Sequence, residues 1–207
     1  MTDNANTKMR KIGYRPPENV AEPDELVIVE YVSGGRIAII TLNRPHADNA
    51  ITTELSVQLI EILETIAARL SVRVVILTGA GDRAFSVGGD LYQRKNMTQE
   101  QWLRQRQFFD RVLYNLRQLR RPIFTAVHGM AYGGGCEISM STDFIIASDE
   151  ARFGQPEVMV GLSAGGGSPV FLPRLLAGTS PRMNPECFLG IFFSISSCIS
   201  TGSIFTF

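Results

Sequence analysis

Two glutamates stand out among the residues that could do chemistry. Glu137 closes the segment Tyr132-Gly133-Gly134-Gly135-Cys136-Glu137, and Glu157 closes Phe153-Gly154-Gln155-Pro156-Glu157, twenty positions later. Upstream, Ser86-Val87-Gly88-Gly89-Asp90-Leu91 is another glycine-rich turn. Two carboxylates can give and take protons, and glycine amides let an anion approach the backbone closely. Addition of water across an activated double bond needs these parts.

Each feature alone has a plainer reading. Glycine pairs are common where a strand feeds a helix, and this one lacks the spacing of a P-loop or a dinucleotide fingerprint. Gly133-Gly134-Gly135 is a second such turn after a buried strand, and two glycine-lined helix starts can offer two N–H donors to one oxyanion. Glu137 could simply favour a helix N-terminus, although Cys136, Ile138 and Met140 make its neighbourhood apolar. Glu157 could be a solvated turn residue. Cys136 neighbours a glycine run, but neither His46 nor His128 is evidently paired with it, so it reads as a small buried residue.

The elements that must position these groups follow from pattern. Leu26 to Val32 and Arg36 to Leu42 read as strands joined by a Ser33-Gly34-Gly35 hairpin turn. Thr52 or Thr53 can cap a helix with Glu54 in its first turn, and Leu55, Leu59, Ile62, Leu63, Ile66 and Leu70 form its apolar stripe. Val72 to Thr78 reads as a buried strand. After Asp90 a polar loop leads to a long helix, about 99–119, with Trp102, Phe108, Phe109, Val112, Leu113 and Leu116 on its apolar side. Ile123 to Val127 is a further strand, Gly134 to about Ser141 a short helix, and Phe144 to Ala147 a strand. This alternation implies an α/β domain.

The formal net charge is zero, which offers nothing to nucleic acid or an anionic membrane. The arginines between Arg104 and Arg121 fall at helical spacing and read as a solvated face. Cys136, Cys187 and Cys198 lack metal-ligand spacing, and an odd count without a secretory signal fits reduced thiols in the cytoplasm. Residues 1–25, with Pro16-Pro17 and Glu22-Pro23-Asp24, are expected to form a flexible arm.

Taken together, Gly133 to Glu137, Asp143 to Ala147, Phe153 to Glu157, Leu42-Asn43-Arg44-Pro45 with Asn49-Ala50, the Phe85–Leu91 loop and Gly161 through Gly167 resemble the signature of the enoyl-CoA hydratase/isomerase (crotonase) superfamily. The resemblance covers residues 26–178 and implies a crotonase-like spiral of ββα units. It further implies that the Gly89 and Gly134 amides form an oxyanion hole and that Glu137 and Glu157 are the two glutamates of the hydratase branch. Relatives that isomerise, cleave or decarboxylate often replace one or both.

On the same resemblance, coenzyme A, as part of an acyl thioester substrate rather than a cofactor, would lie along Pro45, Ala47 and Ala50 and along Ala84, Ser86, Gly88, Asp90 and Leu91. Gly165 would leave room for the acyl group and water. His46 and Tyr92 stand where many relatives carry phosphate-holding lysines, so Arg44, Arg83 or Arg94 are the candidate substitutes. An isomerase or hydrolase acting on acyl-CoA, or a non-catalytic remnant, are the alternatives to a hydratase.

Family members continue into further helices that close the acyl pocket and build a homotrimer, often doubled to a hexamer. Residues 179–207 match none of them and lack charge after Glu186. The expectation is a truncated or altered terminus with that trimerisation region largely missing. A membrane-seeking tail or a separate packing element are the other readings. On the first, Phe192, Phe193, Ile195 and Ile199 form a β-prone, aggregation-prone stretch.

Overall fold

The structure is a computed structural model that describes residues 23–177. The arm before Pro23 and the tail from Gly178, with the expectations attached to them, lie outside the described residues. At the inner end of the expected arm, Asp24 and Glu25 are tied down: their carbonyls accept from Gln58 and Asn43 side chains (3.4 and 2.9 Å).

Strands β1 (Val27–Val32) and β2 (Ile37–Leu42) form an antiparallel hairpin. Helix α1 (Thr53–Ala68) follows, capped by the Thr52 hydroxyl, which accepts from the Leu55 amide at 3.1 Å. β3 (Val74–Gly79) then pairs parallel to β2, and β4 (Ala84–Ser86) starts a second sheet. Helices α2 (Leu91–Lys95) and α3 (Gln99–Gln118) come next, α3 opened by a capping box of Thr98 and Gln101. β5 (Ile123–Val127), β6 (Met130–Tyr132) and α4 (Gly134–Ser139) follow, then β7 (Phe144–Ala147), β8 (Arg152–Gly154), a 3-10 turn at Pro156–Val160 and α5 (Ser168–Ala177).

One sheet has the order β1-β2-β3-β5-β7, the other β4-β6-β8. The chain therefore repeats one move three times: a strand in the large sheet, a short parallel strand in the small sheet, then a helical turn. Ala38, Ile40, Leu42, Val75, Leu77 and Ile123 of the large sheet join Leu55, Leu59, Leu63 and Ile66 of α1 and Val112, Leu113 and Leu116 of α3 in one core. At roughly 1.5–3 kcal/mol for each fully buried large aliphatic, this cluster holds the scaffold on which the small sheet rests.

Some expectations need correction. Leu70 does not extend the α1 stripe: the helix ends at Ala68, Arg69 is extended, and Leu70 is 82% exposed. Trp102 is 40% exposed and lines a cavity instead of the core. The α3 arginines are not all solvated. Arg104, Arg111 and Arg117 of the helix and Arg120 beyond it are exposed, but Arg106 and Arg117 also reach the Gly165–Gly167 loop, and Arg121, past the helix end, donates to the Val72 carbonyl at 2.8 Å. The polar loop after Asp90 contains α2, nucleated by the Asp90 carboxylate accepting from the Tyr92 and Gln93 amides at 2.9 and 3.0 Å.

Candidate active site

The small sheet gathers the chemistry. β4, β6 and β8 run parallel, with Ser86 opposite Ala131 and Tyr132 opposite Gly154, so their C-terminal ends lie side by side. Each end releases one of the turns singled out by sequence: Gly88-Gly89 after β4, Gly133-Gly134 after β6, Gln155 to Glu157 after β8. The Gly133 amide donates to the Gly154 carbonyl at 2.9 Å, stitching the last two together.

The glycine turns pack against each other. At Gly88, φ is +84°, and a Cβ there would lie 2.7 Å from the Gly134 nitrogen. Gly133 takes φ +51°, and a Cβ on it would stand 3.1 Å from Glu157 Oε1. These positions need glycine for close approach as well as for conformation. Among the described residues, neither the Gly89 nor the Gly134 amide donates to a protein acceptor. Both glycines line one cavity together with Glu137, Glu157, Leu91, Arg94, Trp102, Arg106, Phe109 and Gly165.

Glu137 is 4% exposed. Its carboxylate accepts from the Gly166 amide in a short hydrogen bond and from the Ser168 amide at 3.3 Å. Arg117 braces this loop, donating to the Gly166 carbonyl (3.2 Å) and Ser141 Oγ (3.0 Å) while its guanidinium lies 4.3 Å from the Phe171 ring centroid. Burial lowers the Arg117 pKa, opposed by the Glu137 charge.

Glu157 is held from one side. With its amide oriented so that the donors face acceptors, Gln155 donates to both Glu157 oxygens (2.9 and 3.1 Å) and accepts from Ser168 Oγ (2.6 Å). Burial pushes the Glu157 carboxyl above the ordinary carboxylate range. The Glu137 charge adds to this, while a backbone hydrogen bond and the Arg94 charge oppose it. Ser168 thus links the two carboxylates, its amide on Glu137 and its hydroxyl on the Gln155 that holds Glu157. Cys136 is 2% exposed and its thiol is pushed up to about 12, burial being the first cause. It is an inert packing residue, as its surroundings suggested.

Of the residues expected along the substrate path, Gly89, Leu91 and Gly165 line the cavity. The room expected at Gly165 is filled by Arg106, whose Nη1 lies 2.5 Å from where a Cβ would be and which donates to the Gly165 carbonyl. Pro45, Ala47, Ala50, Ala84, Ser86, Gly88 and Asp90 do not line the cavity; they belong to a hydrogen-bonded wall built from residues 44–51 and 84–90. Asn49 Nδ2 donates to the Ala84 carbonyl (2.9 Å), Ser86 Oγ to the Asn49 carbonyl (2.8 Å), and the Ile51 amide to the Gly88 carbonyl (2.8 Å). Arg44 is spent inside this wall on Asp90 (3.1 Å) and the Ala50 carbonyl (2.6 Å). Arg94 turns into the cavity. Arg83, its side chain 40% exposed, pairs with Asp48 at 3.3 Å.

Gln155, Ser168, Gly166, Arg106 and Arg117 were not assigned to the site from sequence. Gln155 and Gly166 lie inside segments that the sequence marks, Phe153–Glu157 and Gly161–Gly167. The others act through backbone groups or across more than forty residues, and neither leaves a local pattern.

The chain belongs to the enoyl-CoA hydratase/isomerase family, whose profile matches residues 33–182. It is similar to a short-chain-enoyl-CoA hydratase of Clostridium acetobutylicum, 40% identical over 142 residues, which are 69% of this chain and 54% of that protein. It is also similar to a crotonyl-CoA hydratase of Syntrophomonas wolfei, 33% identical over 141 residues, or 68% and 54% of the two chains. The chain spans about half the length of these relatives. A crystal structure of an enoyl-CoA hydratase from Bacillus anthracis superposes with a TM-score of 0.77 at 32% identity, over 86% of this chain and 68% of that one. The α/β spiral is thus the crotonase fold. Among the described residues, no helix is long and apolar enough to cross a membrane.

Proposed function

We propose that this protein hydrates 2-enoyl thioesters of coenzyme A, adding hydroxyl to C3 and a proton to C2. The observation that carries the reading is the convergence of Glu137 and Glu157 on one cavity with the unengaged Gly89 and Gly134 amides. The amides would receive the thioester oxygen as negative charge develops on it. Glu137, its carboxylate oriented by the Gly166 and Ser168 amides, would take a proton from water as oxygen attacks C3. Glu157, whose burial and charged neighbour favour the protonated form, would deliver its proton to C2. The Gln155–Ser168 link joins the supports of the two carboxyls. Hydratases among the similar proteins support the same class of reaction.

The test is loss of the conjugated enoyl-thioester absorbance when the protein meets crotonyl-CoA. Glu137→Gln and Glu157→Gln should each lower the rate by about 10²–10⁴-fold, the usual worth of a positioned acid or base. Rates within tenfold of wild type in both variants would sink the assignment. Mass analysis separates hydration, which adds one water, from isomerisation, which adds none, and from thioester hydrolysis, which releases free coenzyme A.

A further inference from the structure

Arg94 is the cavity residue that hydration does not use. Its guanidinium lies where a Gly89 side chain would begin, Nη1 2.7 Å from that point, facing the same space as Glu157 and Gly134. Its Nε donates to Gln105 Oε1 at 2.8 Å. Gln105, 3% exposed, is fixed in turn by Gln93 (2.7 Å) and Thr53 (3.2 Å). Its direct hydrogen-bond partner is thus neutral, while the Asp90, Glu157 and Glu137 charges act on it without touching it. Among the described residues no carboxylate forms an ion pair with Arg94, whereas Arg106, the cavity's other guanidinium, is paired with Asp110 at 2.9 Å. Burial, then the like charge of Arg106, depresses the Arg94 pKa, opposed by the charges of Asp90, Glu157 and Glu137. A half-buried guanidinium that spends one N–H on a neutral amide and touches no carboxylate keeps donors for an anion that enters the cavity. The guanidinium fork matches a carboxylate in two parallel hydrogen bonds.

We infer that the cavity selects acyl thioesters whose acyl group carries a distal carboxylate, and that Arg94 receives that carboxylate. This rests on the acyl-thioester reading above. The coenzyme A phosphates are a different anion source, separated from the thioester by the length of the pantetheine arm, whereas Arg94 stands beside the glycine turn and the glutamates.

The experiment uses saturated thioesters, which bind without turnover. Trp102, the one tryptophan of the chain, lines the cavity, so its fluorescence reports occupancy. Glutaryl-CoA is compared with valeryl-CoA, and adipyl-CoA with hexanoyl-CoA; each pair differs only in the terminal group, and the phosphates cancel. In the wild type the better carboxylated ligand is expected to bind at least tenfold tighter than its uncharged partner. Arg94→Gln should bring that ratio within threefold of unity, and Arg94→Lys, which keeps charge but loses the fork, should fall between. Equal or tighter binding of both uncharged ligands by the wild type overturns the inference without recourse to a variant, as does a ratio that survives Arg94→Gln or failure of every thioester to bind. Crotonyl-CoA hydration, followed in parallel, separates the two readings. Hydration without carboxylate preference removes only this inference, and preference without hydration removes only the hydratase.

Discussion

A side chain on Gly88 would begin 2.7 Å from the amide nitrogen of Gly134, so the two glycine turns are a single packed unit. Gly34 also has positive φ (+70°), but nothing lies within 4 Å of its Cβ position. Comparing alanine at each separates conformational strain from lost approach. Gly34→Ala should cost about 1–2 kcal/mol, the left-handed penalty alone. Gly88→Ala should add roughly 1–3 kcal/mol of overpacking and reduce crotonyl-CoA hydration at least a hundredfold by parting the amides. Urea midpoints at constant slope measure the first effect, and initial rates the second.

The Arg44–Asp90 pair is almost wholly buried, its side chains 3% and 5% exposed. Removing Asp90 breaks this buried ion pair, worth about 3–5 kcal/mol. Asp90→Ala also uncaps α2 and should be destabilising by that amount. Asp90→Asn keeps an acceptor for the Tyr92 and Gln93 amides and should lose measurably less. Chemical denaturation of the two variants in parallel checks the order.

Glu157 gives a pH signature of known sign. Its folded-state pKa is raised, so its contribution to stability is fully present below the unfolded carboxylate pKa and is lost as pH rises through the folded value. Glu157→Gln should therefore raise the melting temperature at pH 8 and lose that advantage as pH falls below about 4.5, the ordinary glutamate value. The same titration removes the proton donor, so kcat/KM should decline on the alkaline side of the raised pKa. Melting curves and pH–rate profiles on the same samples test both.

Cys136 should not react with thiol reagents in the folded protein. With its thiol pushed up to about 12 and 2% of its surface exposed, labelling at pH 8 should appear only on denaturation. Peptide mapping confines the readout to this residue.

The large sheet is legible because its strands are long enough to show a pattern: Leu26 to Val32 alternates, Arg36 to Leu42 is β-branched and Val72 to Thr78 is nearly continuously apolar. The small sheet is not, since strands of three residues such as Ala84–Ser86 carry no measurable period. Helix α5 escaped notice because Pro173 interrupts its reading. Within the site, Glu137, Glu157 and the glycine turns could be found as motifs. Ser168 could not, because it reaches Glu137 through its backbone amide, and any residue type but proline supplies that group. Arg94 reads in the sequence as one of three candidate cations, with Arg44 and Arg83, and only the structure shows that it lines the cavity, since sequence shows a charge but not the direction in which it points.

The three short strands of the small sheet each deliver one turn to the cavity, and two kinds of component arrive that way. On the proposed hydratase reading, the anion-receiving amides are written in the backbone and would survive most substitutions nearby, whereas the acid–base groups are single side chains. The scaffold would then be a chassis with a fixed electrophile-activating seat and exchangeable proton couriers. Replacing Glu157 or Glu137 would reroute protons while leaving the seat intact, so that new reactions on the same thioester handle would lie one codon away.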